Sequence, residues 1–264
     1  MGWAQSAAGQ TFTRFLQHLT SIFYLLTETL HWLVVAPFKG KRIRGRAVID
    51  QMYQVGVQSL FIVMLISFFL GVILAMQTAY QMQRFGATQY VGSLVSVAFV
   101  RELGPLMTAL VITGRVGAAF TAELGTMNVS EEILALETMA LNPVGFLIVP
   151  RFLAILIMLP VLTALADVTG MFGGYLIGVG SLNISSHLYI KRTLDALVLK
   201  DIFSGMFKTW VFAIIIVMIG CYRAFIVEGG AAGVGRSTMI SVVHSMVAII
   251  FADLVLTAFF YFLF

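Results

Sequence analysis

The chain has 264 residues, of which 60% are hydrophobic and 11% are charged, and its formal net charge is +4. A soluble domain carries about 25% charged residues, so these proportions exclude a water-soluble globular protein. Basic residues are not interleaved with aromatic ones, which argues against nucleic-acid binding. The single cysteine, Cys221, excludes an intrachain disulfide and a cysteine-based metal site.

The first predicted element is an amphipathic helix over residues 12–38. Its large apolar residues recur at helical spacing and are Phe12, Phe15, Leu19, Ile22, Phe23 and Leu26. This pattern is typical of a helix that lies in the membrane interface. A basic run follows, made of Lys39, Lys41, Arg42, Arg44 and Arg46. Such a run stays on the cytoplasmic side of a membrane, so we expect a cytoplasmic N-terminus.

Five apolar segments are long enough to cross the hydrocarbon core, which takes about 20 residues of helix. They are predicted at residues 57–80, 91–124, 146–176, 203–225 and 239–262. Span two would be roughly 50 Å long, so we expect it to bend at Gly104 and Pro105 or to project into the cytosol. The charged residues around Lys191 predict a loop between spans three and four. The sequence therefore predicts an all-α polytopic membrane protein whose C-terminus lies outside.

A polar segment at residues 129–141 separates spans two and three. Asn128 and Glu131 fit a helix N-cap with its capping-box partner, and Ser130 offers an alternative cap. The short acidic helix that follows is expected to expose three apolar residues together, Leu134, Leu136 and Met139. Such a surface predicts a helix that docks on a partner protein.

Residues 229–237 read GGAAGVGRS, which is one residue away from a phosphate-binding loop. The P-loop pattern is G-x-x-x-x-G-K-[ST], and Arg236 stands where the lysine belongs. A P-loop also follows a strand in an α/β domain, whereas this segment lies between two predicted membrane spans. The segment is therefore interpreted as a cytoplasmic turn that binds no ATP.

Ionisable residues inside a membrane are costly and usually functional. Five fall in the outer half of the predicted spans: Arg101, Glu102, Asp167, Lys208 and Asp253. Their signs permit pairing of Arg101 or Lys208 with Asp253 or Glu102. A structural ion-pair network and a headgroup-contacting or gating site are both compatible with this pattern. Arg115 and Glu123, at the other end of span two, are interpreted as structural or coupling elements.

A long motif between residues 101 and 143 carries a family resemblance. It contains R-E-L-G-P, G-R-V-G-A-A, E-L-G-T-M, E-E-x-x-A-L-E-T-M and N-P in this order. The run resembles that of the MlaE-like permeases of MCE-type ABC lipid transporters, and the resemblance extends over nearly the whole chain. It implies a homodimeric permease with an interfacial helix, five spans and a coupling helix at 129–141.

The resemblance also implies a function and a set of partners. The family moves phospholipids between the bacterial inner membrane and a periplasmic MCE-domain carrier, an MlaD-like hexamer, and maintains outer-membrane lipid asymmetry. The implied cytoplasmic partners are MlaF-like ABC ATPase subunits with an MlaB-like accessory protein. ATP and magnesium would bind to those subunits, so we expect no cofactor, metal or catalytic residue in this chain.

Two groups of residues are expected to carry this function. The ATPase would dock on Glu131, Glu132, Leu136, Glu137 and Met139. The lipid pathway would be lined by Leu70, Leu74, Gln77, Arg101, Glu102, Lys208 and Asp253.

Two other classes of protein remain alternatives. A proton-coupled secondary transporter of an amphipathic substrate would use Asp167 and Asp253 as proton carriers. It would need no ATPase partner, and the acidic helix would then lack a purpose. An intramembrane hydrolase would use Ser241, His244 and Asp253. Nine residues separate His244 from Asp253, about 13 Å along a helix, so the carboxylate cannot orient that histidine within one helix.

Overall fold

A computed structural model describes residues 7–38 and 44–263 of the chain. Lys39, Lys41 and Arg42 of the predicted basic run lie outside these residues. The α-helices are, in chain order, α1 Ala7–Phe38, α2 Gly45–Met52, α3 Gln58–Arg84, α4 Val91–Ala98, α5 Gly104–Ile112, α6 Ala118–Val129, α7 Glu132–Thr138, α8 Val149–Gly180, α9 Ser186–Ala196, α10 Leu199–Phe225 and α11 Gly230–Leu263. The described residues form no β-strand, and the all-α fold class is confirmed.

Among the described residues, five helical segments are long and apolar enough to cross a membrane. They are Gly45–Arg84, Thr88–Val129, Val144–Gly180, Leu199–Phe225 and Gly230–Phe262, and we call them spans one to five. Each is longer than the apolar core of its sequence, because a helix satisfies its own backbone hydrogen bonds and can continue past the hydrocarbon. α1 takes the place of the predicted helix at 12–38.

Span two is not one regular helix. α4, α5 and α6 are separated by two π-helical turns, Phe99–Leu103 and Thr113–Gly117. The first turn ends where Gly104 and Pro105 predict a break, since Pro105 has no N–H to continue the regular ladder. Three of the four charged residues of this span, Arg101, Glu102 and Arg115, lie in these turns. The fourth, Glu123, lies in α6. π-turns inside helices are frequent at functional sites.

Glycine lets spans one and three approach backbone to backbone. A Cβ built on Gly71 would lie 1.9 Å from the carbonyl oxygen of Gly170, so only glycine fits there. The four-residue spacing of Gly170, Gly174 and Gly178 predicts close packing. The structure confirms this role, since the ring of Phe99 lies against Gly170, the Tyr189 hydroxyl against Gly174 and the Tyr189 ring against Gly178.

The segment between spans three and four is a helix, and the prediction of a loop there is wrong. The hydroxyl of Ser185 caps α9 by accepting a hydrogen bond from the Leu188 amide over 3.3 Å. Tyr189 is buried against Gly92 of α4 as well as the glycines of α8. Burial raises the pKa of Tyr189 to about 12, so its hydroxyl stays neutral. This one buried tyrosine fixes α9 to two spans despite its charged outer face.

The GGAAGVGRS segment is also mostly helical. Gly229 and Gly230 form a bend with φ angles of 89° and 68°. Glycine adopts positive φ angles without the steric cost that a side chain would bring. From Gly230 onward the segment forms the first turns of α11. The interpretation as a turn over all nine residues is therefore wrong, because eight of them, from Gly230 to Ser237, continue into span five without a break.

Candidate functional site

A buried ionic cluster joins spans two, four and five. Lys208 lies at its centre, with its Nζ atom 2.5 Å from Glu102 Oε2 and 2.9 Å from Asp253 Oδ1. The Nζ also donates a hydrogen bond to Thr257 Oγ1 over 2.8 Å, and Thr257 donates one to Glu102 Oε1 over 3.0 Å. Only 2% of the Lys208 side chain is exposed. Three of the predicted site residues thus meet around one ammonium group.

Burial of the Lys208 ammonium group costs free energy, which its carboxylate and hydroxyl partners offset. Taking an ammonium group out of water costs several kcal/mol, and only close opposite charges and hydrogen bonds repay it. Lys208 has two carboxylates and one hydroxyl within 2.9 Å. With every group ionised, two carboxylates outnumber one ammonium, so the cluster carries one excess negative charge.

Arg101 precedes Glu102 in the chain but belongs to a neighbouring site. Its Nη1 lies 3.7 Å from Asp201 Oδ1. The predicted pairing of Arg101 or Lys208 with Asp253 or Glu102 is therefore confirmed for Lys208 and wrong for Arg101. Asp201 belongs to the charged segment for which the sequence predicts a loop, whereas in the structure it is buried in the first turn of α10. Acidic residues are favoured in the first turn of a helix, so Asp201 in the sequence indicates where α10 begins. Arg101 opens on a recess of about 380 Å³, lined also by Ser204 and Tyr261.

Asp167 stays apart from the Lys208 cluster. It is buried in α8 and its Oδ1 faces Gly104, where a Cβ would come within 1.7 Å. That oxygen has no hydrogen-bond partner among the described residues. The five predicted outer-half charges therefore form one cluster, one separate ion pair and one isolated carboxyl.

The span-one residues predicted for the pathway lie on α3, which is not one of the helices that form the Lys208 cluster. Leu70 and Leu74 are half-buried on α3, and Gln77 is exposed. α3 packs on α8, whereas the Lys208 cluster lies on spans two, four and five. No hydrogen bond or ion pair between these three residues and the Lys208 cluster is found among the described residues.

The helix between spans two and three is α7, which is shorter than the predicted 129–141. Asn128 does not cap α7. It lies at the end of α6, and its side-chain amide donates hydrogen bonds to the Phe225 and Val227 carbonyls over 3.1 and 3.4 Å. Glu131 occupies the cap position with a left-handed φ of 60° and without a side-chain cap bond. The capping-box prediction is therefore wrong.

α7 exposes its acids and buries part of its apolar face. Glu131, Glu132, Glu137 and Met139 are exposed. Leu136 is buried beside Ile133 in the core, so the predicted exposure of Leu134, Leu136 and Met139 together is wrong for Leu136. The buried pair holds the helix to the body of the chain, and the acidic edge faces outward.

The chain matches the model of the MlaE permease family over residues 48–259. This chain belongs to the MlaE permease family. The match includes the Lys208 cluster and α7.

Relatives of this MlaE permease support the same assignment. It is 39% identical over 210 residues to a probable ABC transporter permease protein of Rickettsia typhi, covering 80% of this chain and 81% of that one. It is 38% identical over 242 residues to one of a Synechocystis strain, covering 91% and 90%. It is also 38% identical over 229 residues to the Arabidopsis thaliana chloroplastic protein trigalactosyldiacylglycerol 1, covering 87% of this chain and 65% of that one.

Family membership makes the chain a permease subunit and displaces the alternative of a proton-coupled secondary transporter. The contacts of Ser241, His244 and Asp253 exclude the hydrolase alternative. Ser241 accepts a hydrogen bond from Thr121 over 2.9 Å, and His244 Nδ1 lies 2.8 Å from Arg223. Asp253 faces Lys208. The three residues have three different sets of partners, so they do not form a triad.

Proposed function

We propose that this MlaE permease moves phospholipids between the bacterial inner membrane and a periplasmic MCE-domain protein, and so maintains outer-membrane lipid asymmetry. The Lys208 cluster is the observation that carries the proposal. A lipid phosphate there would replace one of the two carboxylates at the ammonium group, and because the cluster already carries one excess negative charge, that carboxylate would have to take up a proton or move away. The neighbouring recess at Arg101 adds a second cation beside the same membrane region.

The apolar surface supports a lipid cargo and a second copy of the chain. Spans one and five have the least buried apolar windows, 28% and 17%. In the proposed homodimer these faces meet across the pathway. Leu70, Leu74 and Gln77 then line it together with Arg101, Glu102, Lys208 and Asp253.

The name of the Arabidopsis relative is that of a glycerolipid, trigalactosyldiacylglycerol. This supports a lipid rather than a small polar solute as the cargo of the bacterial permease. A protein of this class fits a multi-pass position in the inner membrane with a cytoplasmic N-terminus and a periplasmic C-terminus.

ATP hydrolysis belongs to separate subunits in this proposal. The exposed acids Glu131, Glu132 and Glu137 and the exposed Met139 of the α7 region form the surface on which an ABC ATPase docks, while Leu136 anchors the helix from behind. The ATPase is MlaF-like and carries an MlaB-like accessory protein. It holds ATP and magnesium.

Reconstitution tests the function. The permease is purified with its ATPase and MCE partner and placed in liposomes that contain a fluorescent phospholipid. We expect ATP-dependent exchange of the lipid between the liposomes and the MCE protein, lost when the ATPase is inactivated. A complex that hydrolyses ATP but exchanges no phospholipid at any ATP concentration would contradict the proposal.

A further inference from the structure

Arg115 lies near the opposite end of span two from the Lys208 cluster. It follows Glu102 by 13 residues (115 − 102), about 20 Å along a helix. The hydrocarbon core is about 30 Å thick. The two charged positions therefore lie toward opposite membrane faces, and Arg115 is on the side that leads into α7.

The guanidinium of Arg115 has only neutral partners among the described residues. It donates to the Gln54 carbonyl over 3.3 Å, to Gln58 Oε1 over 3.2 Å and to the hydroxyl of Ser59. By contrast, Lys208, Arg151 and Arg101 each lie within 4 Å of a carboxylate. A cation in a membrane span without an opposite charge is costly.

Two donors of Arg115 remain for a ligand. A guanidinium has five N–H groups, and the bonds to Gln54, Gln58 and Ser59 use two on Nη1 and one on Nη2. The Nε–H and one N–H of Nη2 are left among the described contacts. A pair of neighbouring guanidinium N–H groups fits two oxygens of a phosphate.

The recess around Arg115 is built by two irregular turns that face each other. Gln54 lies in the π-turn Tyr53–Val57 of span one, and Arg115 lies in the π-turn Thr113–Gly117 of span two. The recess has a volume of about 280 Å³. Its polar side is lined by Gln54, Gln58 and Arg115, and its apolar side by Val116, Ala119 and Phe120.

Glu123 also lines this recess, but its carboxylate forms an ion pair with Arg151 and not with Arg115. Its Oε2 lies 2.9 Å from Nη2 of Arg151. Arg115, Arg151 and Glu123 together are two cations and one carboxylate. The site therefore has a net positive charge of one, which an anion would balance.

We propose that Arg115, with the side-chain amides of Gln54 and Gln58, binds the phosphate of a phospholipid headgroup in the membrane half next to α7. Val116 and Ala119 contact the glycerol and the first chain carbons. The inference rests on the proposed lipid transport and adds a second headgroup position, about 20 Å from the first. A lipid that crosses the permease would use both.

Binding of short-chain lipids to the purified complex tests the site. The probes are dihexanoylphosphatidylglycerol, dihexanoylglycerol, which lacks the phosphate, and inorganic phosphate, each measured by calorimetric titration. Arg115→Gln should weaken phosphatidylglycerol binding by about tenfold or more, since it removes a charge-assisted phosphate contact. Arg115→Lys keeps the charge without the fork and should lose several-fold. Arg84→Gln is the matched control, because Arg84 also contacts a neutral partner, the Tyr80 hydroxyl, and should bind as the unchanged protein does.

The other outcomes decide against the site. An equal loss of dihexanoylglycerol binding would show that Arg115 only joins spans one and two. Inorganic phosphate that binds as tightly as the lipid, with the same dependence on Arg115, would show a site for free anions. If Arg115→Gln does not assemble, unchanged phosphatidylglycerol binding by Arg115→Lys overturns the proposal. Lipid exchange by the unchanged complex is measured in parallel, so loss of the transport function and loss of this site are separate results.

Discussion

Lys208 Nζ and Glu102 Oε2, 106 positions apart in the chain, lie 2.5 Å from each other inside the membrane-spanning bundle. Thr257 of span five bridges the same two side chains. Three spans are thus joined at one point by polar contacts in a surrounding of apolar residues. Such contacts have few competing partners in hydrocarbon, so the cluster aligns the three spans.

Removal of the ammonium group should destabilise the permease. Lys208→Met leaves the partly buried Glu102 and Asp253 near each other without a cation. Breaking a fully buried pair costs about 3–5 kcal/mol, so the loss here should be at or below that range. Thermal unfolding of the purified complex in detergent measures the loss. Lys191→Met is the control, since Lys191 is exposed on α9, and it should leave the melting temperature unchanged. Equal melting of Lys208→Met and the unchanged protein would show that the cluster contributes nothing to stability.

The contact between spans one and three should depend on a single glycine. In Gly71→Ala the added methyl group meets the Gly170 backbone at 1.9 Å, and the two helices must separate. Overpacking of this kind costs about 1–3 kcal/mol. Gly180→Ala, at the end of α8, meets nothing within 4 Å and serves as the matched change. Thermal melting of both variants checks the prediction, which fails if they melt alike.

Much of the fold follows from residue type, and the exceptions have physical reasons. The five spans can be predicted from long apolar runs. In hydrocarbon every backbone N–H and C=O group must be hydrogen-bonded within the protein, so such runs form helices. α9 was missed because the charges of Lys191 and its neighbours outweigh one buried tyrosine in the sequence pattern. The fit of Tyr189 against glycines of two other helices is a tertiary contact that local sequence does not report.

The candidate site was predicted in its composition but not in its pairing. Depth along each span identified Glu102, Lys208 and Asp253 as neighbours. Rotation around each helix decides which charges meet, and the π-turn at Phe99–Leu103 changes that rotation. Arg101 is consequently directed to Asp201. Local sequence predicts a cap at Asn128 because the partners of its amide in the structure, the Phe225 and Val227 carbonyls, are almost 100 residues away.

The acidic surface of α7 should control coupling to the ATPase. Glu132→Lys combined with Glu137→Lys reverses two exposed charges, and loss of charge pairs at an interface costs about 2–5 kcal/mol. We expect loss of ATPase copurification or of lipid-stimulated ATP hydrolysis while the permease itself stays folded. Asp195→Lys on α9 is the control, since α7 and α9 lie at opposite ends of span three. Normal copurification and normal stimulated activity in the double variant would exclude α7 as the docking surface.

Arg236 should be dispensable for ATP hydrolysis by the assembled complex. It is exposed on the first turns of α11, and the strand that precedes a P-loop is absent from the described residues. Arg236→Ala is therefore expected to retain the ATPase rate of the complex. A photoreactive ATP analogue provides the opposite test. Labelling of this chain, abolished by Arg236→Ala, would assign nucleotide binding to the permease.

A charge exchange between Lys208 and Asp253 separates the structural role of the cluster from a role in headgroup contact. Lys208→Asp and Asp253→Lys each place like charges together and should each impair assembly. The double variant places opposite charges about as close as before, since the two side chains lie 2.9 Å apart, and Thr257 still contacts Glu102. Assembly should therefore recover. Lipid exchange should not recover, because the cation would then project from span five and miss the arriving phosphate. Recovery of both assembly and lipid exchange would show that the cluster only joins helices, and single variants with normal assembly and normal exchange would exclude both roles.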